Sequence, residues 1–317
     1  MKEKRDVFLW MLIAVMFTIS AFVYDLYSYV GNHNSRLFGV TYMTMNNPFY
    51  SVIQNELVKS IQSKGDSLIL RDPMLDPEKQ AQQIEEFINM KVDGIFVNPV
   101  DSIQIAESLE KATSQGIPVI VIDCPIESSS EIVSAVYSDN YQAGVLWAKD
   151  LIKKYEGGKI ALLKHSSTIS GQDRIQGFKD TIAQYDQFEI LNEAESDGQT
   201  EIAMPVVLDI LAQTPDIDFI MCLNDPSAMG AIAALEYAHR NDIRVYGVDG
   251  TPDFKEQLMR QSVAEATIMQ SPYTMARYAS ENMYAFLEGL EVKPTIIIPV
   301  ELLDRSNIQD QNLREWQ

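Results

Sequence analysis

Residues 94–125, GIFVNPVDSIQIAESLEKATSQGIPVIVIDCP, decide the fold. They open on a short apolar run, turn polar at Asn98, pass through helically spaced residues and return to an apolar run that ends on Asp123. Short apolar runs bounded by turn residues read as strands buried on both faces, and two of them joined by a helix make a parallel βαβ unit. Residues 219–250, FIMCLNDPSAMGAIAALEYAHRNDIRVYGVDG, repeat that layout. Asn98 stands 25 positions before Asp123, and Asn224 stands 25 positions before Asp249. Ile117 and Ile243 keep the same offset from their aspartates, as do Val119 and Val245. A duplicated domain is the economical account.

The alternation extends in both directions. LFGVTYM (37–43) precedes a helix with Val52, Ile53, Leu57 and Ile61 at helical spacing. Asp76 and Pro77 read as the cap and first residue of the next helix, which carries Ala81, Ile84, Phe87 and Ile88 on one face. The series restarts after Ser138 with a helix holding Val145, Trp147 and Leu151, then KIALLKH and a helix from Asp173. The spacing predicts an α/β fold of two similar doubly wound parallel-sheet domains joined by a three-stranded hinge. Residues 1–36 form a separate N-terminal part; 37–138 plus 271–299 form the first lobe, and 139–270 plus 300–317 the second. The crossovers are expected near Ser138–Asn140, Gln270–Pro272 and Pro299–Glu301.

Bulk properties narrow the class. With 45 acidic against 25 basic side chains the formal charge is −20, which argues against nucleic acid as a partner. Cys124 and Cys222 lie far apart, form no metal spacing and read as strand-end core residues with no disulfide framework. At the N-terminus, Lys2, Lys4 and Arg5 precede an uncharged run from Val7 to Tyr24. Eighteen helical residues reach about 27 Å, close to a bilayer core. Bulky residues occupy the exit, where a signal peptidase needs small ones, and no lipidation cysteine follows. The flanking charges put the N-terminus in the cytoplasm. Met1–Tyr29 is therefore expected to stay as one transmembrane anchor of a cell-membrane protein, with the body on the extracytoplasmic side.

Asn98, Asp123, Asn224 and Asp249 all fall at carboxyl ends of expected parallel strands, the edge where open α/β sheets bind ligands. Asparagine gives and takes hydrogen bonds and aspartate takes two, which suits adjacent hydroxyl groups. Aromatic rings suit the apolar C–H faces of a sugar. In NNPFY (46–50), Phe49 and Tyr50 are then platforms and Asn47 bonds the ligand's edge; the alternative packs Phe49 under the first helix and exposes only Tyr50.

From about Leu37 to Ile308 the chain resembles the type I periplasmic binding proteins, and within them the ribose-binding-like sugar receptors. NNPFY, FVNPVDS, VIDCP, YSDNYQAG, DRIQGF, CLNDPSAMGA, VYGVDGTPD and ATIMQSP follow in that family's order and spacing. The resemblance implies sugar contacts at Phe49, Tyr50, Asp123, Arg174, Asn224, Asp249 and Gln270, with Asn47 added. Asn98 and Ser138 match family motifs that also serve the strand end and the first crossover. Three positions depart from the ribose pattern: Cys124 where an arginine is usual, and Val248 and Gly198 where aromatics are usual. Ribose itself is therefore a poor fit. His165 is either a replacement contact or an exposed strand-end residue.

Catalytic signatures are missing from the sequence. There is no zinc spacing, no Gly-x-Ser-x-Gly elbow and no glycine-rich phosphate fingerprint. The reading is a receptor for a small neutral sugar or polyol, not an enzyme, with no cofactor and no metal. Its partner is an ABC permease if it serves import, or a membrane histidine kinase if it is a sensory module.

Overall fold

The computed structural model describes residues 10, 14–22, 35–127, 131–260 and 262–317. The body opens with β1 (Leu37–Thr41), α1 (Pro48–Ser63), β2 (Ser67–Arg71), α2 (Pro77–Met90), β3 (Gly94–Val97), α3 (Ala106–Ser114), β4 (Val119–Ile122) and β5 (Ser134–Ser138). Then come α4 (Asn140–Lys154), β6 (Gly158–Lys164), α5 (Ile169–Ile182), β7 (Phe188–Glu195), α6 (Thr200–Gln213), β8 (Phe219–Cys222), α7 (Asp225–Tyr237) and β9 (Arg244–Asp249). The chain closes with α8 (Pro252–Met259), β10 (Ala264–Met269), α9 (Pro272–Leu287), β11 (Thr295–Ile298) and β12 (Glu301–Asp304).

These strands build two six-stranded sheets, ordered β11-β5-β4-β3-β1-β2 and β12-β10-β9-β8-β6-β7. The two orders are equivalent strand for strand. All pairings are parallel except β10 with β12. In each sheet the winding direction reverses beside the first strand, between β1 and β3 and between β6 and β8. A crevice opens at such a switch point because neighbouring connections leave on opposite faces. The chain passes between the sheets after β5, after β10 and between β11 and β12.

Fully apolar runs make the central strands: GIFV of β3, VIVI of β4 and FIMC of β8 are buried throughout. Helices then cover both faces of each sheet. Phe38, Val40, Ile53 and Leu57 pack on one face of the first, and Ile84, Phe87, Ile95 and Leu109 on the other. The second sheet is covered likewise, with Trp147 and Phe178 on one face and Val207 and Leu235 on the other. Asp76 caps α2 through Lys79 N, with Pro77 first in the helix, as its sequence requires.

One boundary differs from the sequence reading. α5 starts at Ile169, not Asp173, because the Thr168 hydroxyl accepts from Gly171 N and caps the helix earlier. Gly171 is needed there: a Cβ would lie 2.5 Å from His165 O. α4 and α5 approach closely through two more glycines. A Cβ on Gly144 would lie 1.9 Å from Arg174 O, and one on Gly177 would lie 2.1 Å from Tyr141 O. That contact sets the height of Arg174.

Of the expected anchor, Trp10 and residues 14–22 are described; they are helical, with Trp10, Val15, Phe17 and Phe22 well exposed. Most of Met1–Tyr29 lies outside the described residues. Among the described residues no helix is long and apolar enough to cross a membrane.

Trp147 is fully buried and its Nε1 donates to Gly247 O at 2.7 Å. Trp147→Phe should destabilise the chain by about 1–3 kcal/mol, since the buried carbonyl loses its partner. Urea unfolding checks this; an unchanged midpoint would mean the bond contributes nothing net.

Candidate functional site: the cleft between the sheets

The carboxyl ends of the two sheets face each other across a cleft. The cavity it encloses is small, about 30 Å³. The lobes are closed on it. Asn46 Nδ2 reaches across to Gln199 Oε1 at 3.1 Å and Glu201 Oε1 at 2.9 Å. Ser102 N donates to Ser167 O at 3.0 Å, and Ile169 N donates to Ser102 Oγ at 3.1 Å.

Eight of the ten residues singled out from the sequence line this space: Asn47, Phe49, Tyr50, Asp123, Arg174, Asn224, Asp249 and Gln270. Asn98 and Ser138 do not. Asn98 is fully buried; its Oδ1 accepts from Met43 N, and its Nδ2 donates to Ile122 O and Asp123 Oδ2. It clips the ends of neighbouring strands and steadies Asp123. Ser138 is buried at the end of β5, and its Oγ has no partner among the described residues.

The first lobe supplies the rings. Asn47 Oδ1 accepts from Phe49 N and caps α1, with Pro48 as its first residue. This cap turns Phe49 and Tyr50 inward. Phe49 is 2% exposed and still lines the cleft, so it both packs under α1 and faces the ligand space. Tyr50 stacks on Tyr42 and donates to Asp123 Oδ2 at 3.1 Å.

The second lobe supplies the only guanidinium at the cleft among the described residues. Arg174 Nε donates to Asn140 Oδ1 at 2.9 Å, and Nη1 donates to Leu223 O at 2.7 Å. Asn224 caps α7 through Ser227 N and donates to Gly198 O at 3.0 Å. Gly198 sits at φ 68°, and a Cβ there would lie 2.8 Å from Asn224 Nδ2. Any side chain at that position would have to displace the Asn224 amide that donates to Gly198 O. Gln270 Nε2 donates to Asp249 Oδ1 at 2.7 Å.

Three buried acceptor atoms at the cleft, one from the first lobe and two from the second, have no partner among the described residues: Asp123 Oδ1, Asp249 Oδ2 and Gln270 Oε1. Such atoms are costly unless something donates to them. Both aspartates also hold positive φ, 70° at Asp123 and 132° at Asp249. Strained backbone thus recurs at equivalent strand ends of both sheets, and such strain clusters at functional sites. Burial raises the Asp123 carboxyl, against the pull of Arg174, Tyr50 and Asn98. Burial also pushes Asp249 up to about 7, against the pull of Arg174 and Gln270. His165 is buried, lines the cleft and is held below its ordinary value by burial, so it is not an exposed strand-end residue.

Sequence reasoning missed Thr168, Ser170, Asp197 and Gln199 on the cleft wall. The Asp197–Gly198 turn after β7 was a detectable signal; the others carry none. Cys124 is buried just behind the cleft wall, with its Sγ 3.3 Å from Ser102 Oγ and hydrogen-bonded to the wall residue Ser170. Among the described residues, no group of side chains is placed to hold a metal ion.

Residues 38–291 match the periplasmic binding protein domain family. The ribose import binding protein of Bacillus subtilis (strain 168) is 29% identical over 274 residues, covering 86% of this chain and 88% of that protein. An ABC transporter solute binding protein from Mycobacterium smegmatis with bound glycerol superposes with a TM-score of 0.84 at 26% identity, covering 90% of this chain and 100% of that one. One from Agrobacterium vitis with bound D-fucose gives 0.81 at 27%, covering 86% and 96%.

The raised Asp249 value predicts a pH dependence. Its folded pKa lies above the ordinary carboxylate value near 4. The stability it contributes when protonated is full below about pH 4 and is lost as the pH rises to about 7. Asp249→Asn should therefore flatten the fall in melting temperature across that window without ligand. Identical pH profiles for the two proteins would contradict the burial of this charge.

Proposed function

The chain belongs to the periplasmic binding protein family, as a type I member of the ribose-binding-like kind and not an enzyme, and from that premise we propose that its cleft captures a neutral monosaccharide or polyol. The three unpartnered buried acceptors carry the proposal. Each takes a hydrogen bond from a ligand hydroxyl, and Arg174, Asn224 and His165 offer polar partners opposite. Phe49 and Tyr50 supply apolar surface for the ring. The named ligands of the relatives, ribose, glycerol and D-fucose, are of this chemical class.

The lobes we assign are 37–138 plus 271–299 and 139–270 plus 300–317, bending about the three crossovers. Ligand selects the closed state because only there do both lobes contact it. The protein then serves outside the cytoplasmic membrane as the capture subunit of a sugar ABC importer. The alternative, a sensory module beside a membrane histidine kinase, is favoured by one observation: the N-terminal segment has basic residues before an apolar run and no lipidation cysteine. We read Met1–Tyr29 as a retained anchor in either case. A tether holds the receptor near its membrane partner at high effective concentration.

Isothermal titration against pentoses, hexoses, glycerol and inositols should give a saturable response to at least one. Silence across that panel, with a response to amino acids instead, would sink the proposal. With the sugar that binds, Asp249→Ala and Arg174→Ala should each weaken affinity at least tenfold, about 1.4 kcal/mol. An Asp249→Ala variant with full affinity would remove Asp249 from the site. Intact mass of the protein from membranes should include residues 1–29. A soluble exported species starting near Tyr27 or Gly31 would refute the tether.

A further inference from the structure

Two adjacent side chains beyond β12 reach the cleft residues from behind, one in each lobe. Lys255 on α8 is 1% exposed, and its ammonium donates to Asn312 O at 3.2 Å, Glu315 O at 2.8 Å and Gln317 Oε1 at 3.1 Å. An ammonium has three donors, and here all three are used on one short segment. A buried cation thus pins residues 312–317 to the second lobe.

From that anchorage Gln317 Nε2 donates to Asp249 O at 2.7 Å and also to Gln270 O. These are the main-chain carbonyls of the two residues whose side chains bond each other at the cleft wall. Asp249 is held at φ 132° and Gly250 at φ 73°, a turn that needs external support. A Cβ on Gly250 would meet Gln317 Nε2 at 2.8 Å, so the turn and the amide are fitted to each other. Trp316, one residue earlier, leaves in the opposite direction. Its ring lies 5.6 Å from Phe49, edge to face at 65°, and packs against the first lobe's core.

We propose that Trp316 and Gln317 are positioning residues of the cleft, Gln317 holding the Asp249 turn against Gln270 and Trp316 seating Phe49 so that the two lobes are latched shut. The segment is rooted in the second lobe through Lys255 and grips the first through the Trp316 ring, which meets Phe49 edge to face and packs on the core around it. That contact is satisfied in the closed arrangement and is lost when the lobes swing apart. Its effect on ligand rests on reading the cleft as the sugar site; its effect on closure does not.

The test uses the full chain and two readouts. Spin labels on Met74→Cys and Tyr237→Cys, both well exposed and in different lobes, report the lobe-to-lobe distance without ligand. Trp316→Ala should shift that distribution towards longer distances, and Trp316→Phe, which keeps an aromatic edge, should restore it. Superimposable distributions for wild type and Trp316→Ala overturn the latch. With whichever sugar binds the wild type, Gln317→Ala and Trp316→Ala should each weaken affinity about fivefold, mostly through faster dissociation. Unchanged affinity in both overturns the positioning role. If no sugar binds the wild type, the functional reading fails while the distance measurement still decides the latch.

Discussion

The structure turns on one buried cation. Arg174 is only 4% exposed, and its charge draws down the carboxyls of both Asp123 and Asp249. Asp249 shares its lobe, but Asp123 belongs to the other. A carboxylate taken out of water is costly unless an opposite charge or strong donors replace its hydration. Asp123 sits on the first sheet and Arg174 on a helix of the second, so the compensation of this charge acts across the cleft. The guanidinium is not free to wander: Asn140 and Leu223 each take one of its N–H groups. Its backbone is set by the glycine contact of α4 on α5, where no side chain fits at Gly144.

The balance remains incomplete on the acidic side. Two strand-end carboxylates face one guanidinium, because the position after Asp123 is Cys124 and its side chain packs against Ser102. Hydrogen-bond donors must do what a second cation would have done. Within the protein, Tyr50 and Asn98 serve one oxygen of Asp123, and Gln270 serves one oxygen of Asp249. The second oxygens are left for whatever enters. A hydroxyl-bearing ligand supplies neutral donors without adding charge, which suits a site whose acidic groups burial has already made reluctant to ionise.

The duplicated sheets explain why the two walls resemble each other. Equivalent strand order puts Asp123 and Asp249 at the same point of each βαβ unit, and both backbones are bent into positive φ there. The two units differ in what braces that bend. In the first lobe Asn98 clips it from the neighbouring strand. In the second, Asn224 is taken up by its helix cap and by Gly198, and Gln317 braces the Asp249 turn from outside the sheet.

What the sequence determined by itself was everything of short range. Apolar runs of strand length, helical spacing between them, and a cap such as Asp76 depend on neighbours a few residues away. So the alternation, the repeat and the strand-end asparagines and aspartates were legible, and the family resemblance added Arg174 and Gln270. The tertiary structure decided which of these face the cleft. Asn98 and Asn224 occupy matching positions in the repeat, yet one points into the sheet and the other lines the cavity, because their hydrogen-bond partners come from different strands and loops. His165, Asp197 and Gln199 join the wall only because β6 and β7 end beside it. Trp316 meets Phe49 although most of the chain separates them. Apart from the Asp197–Gly198 turn, contacts of that kind have no period and no local signature; they exist only once the two sheets have folded and met.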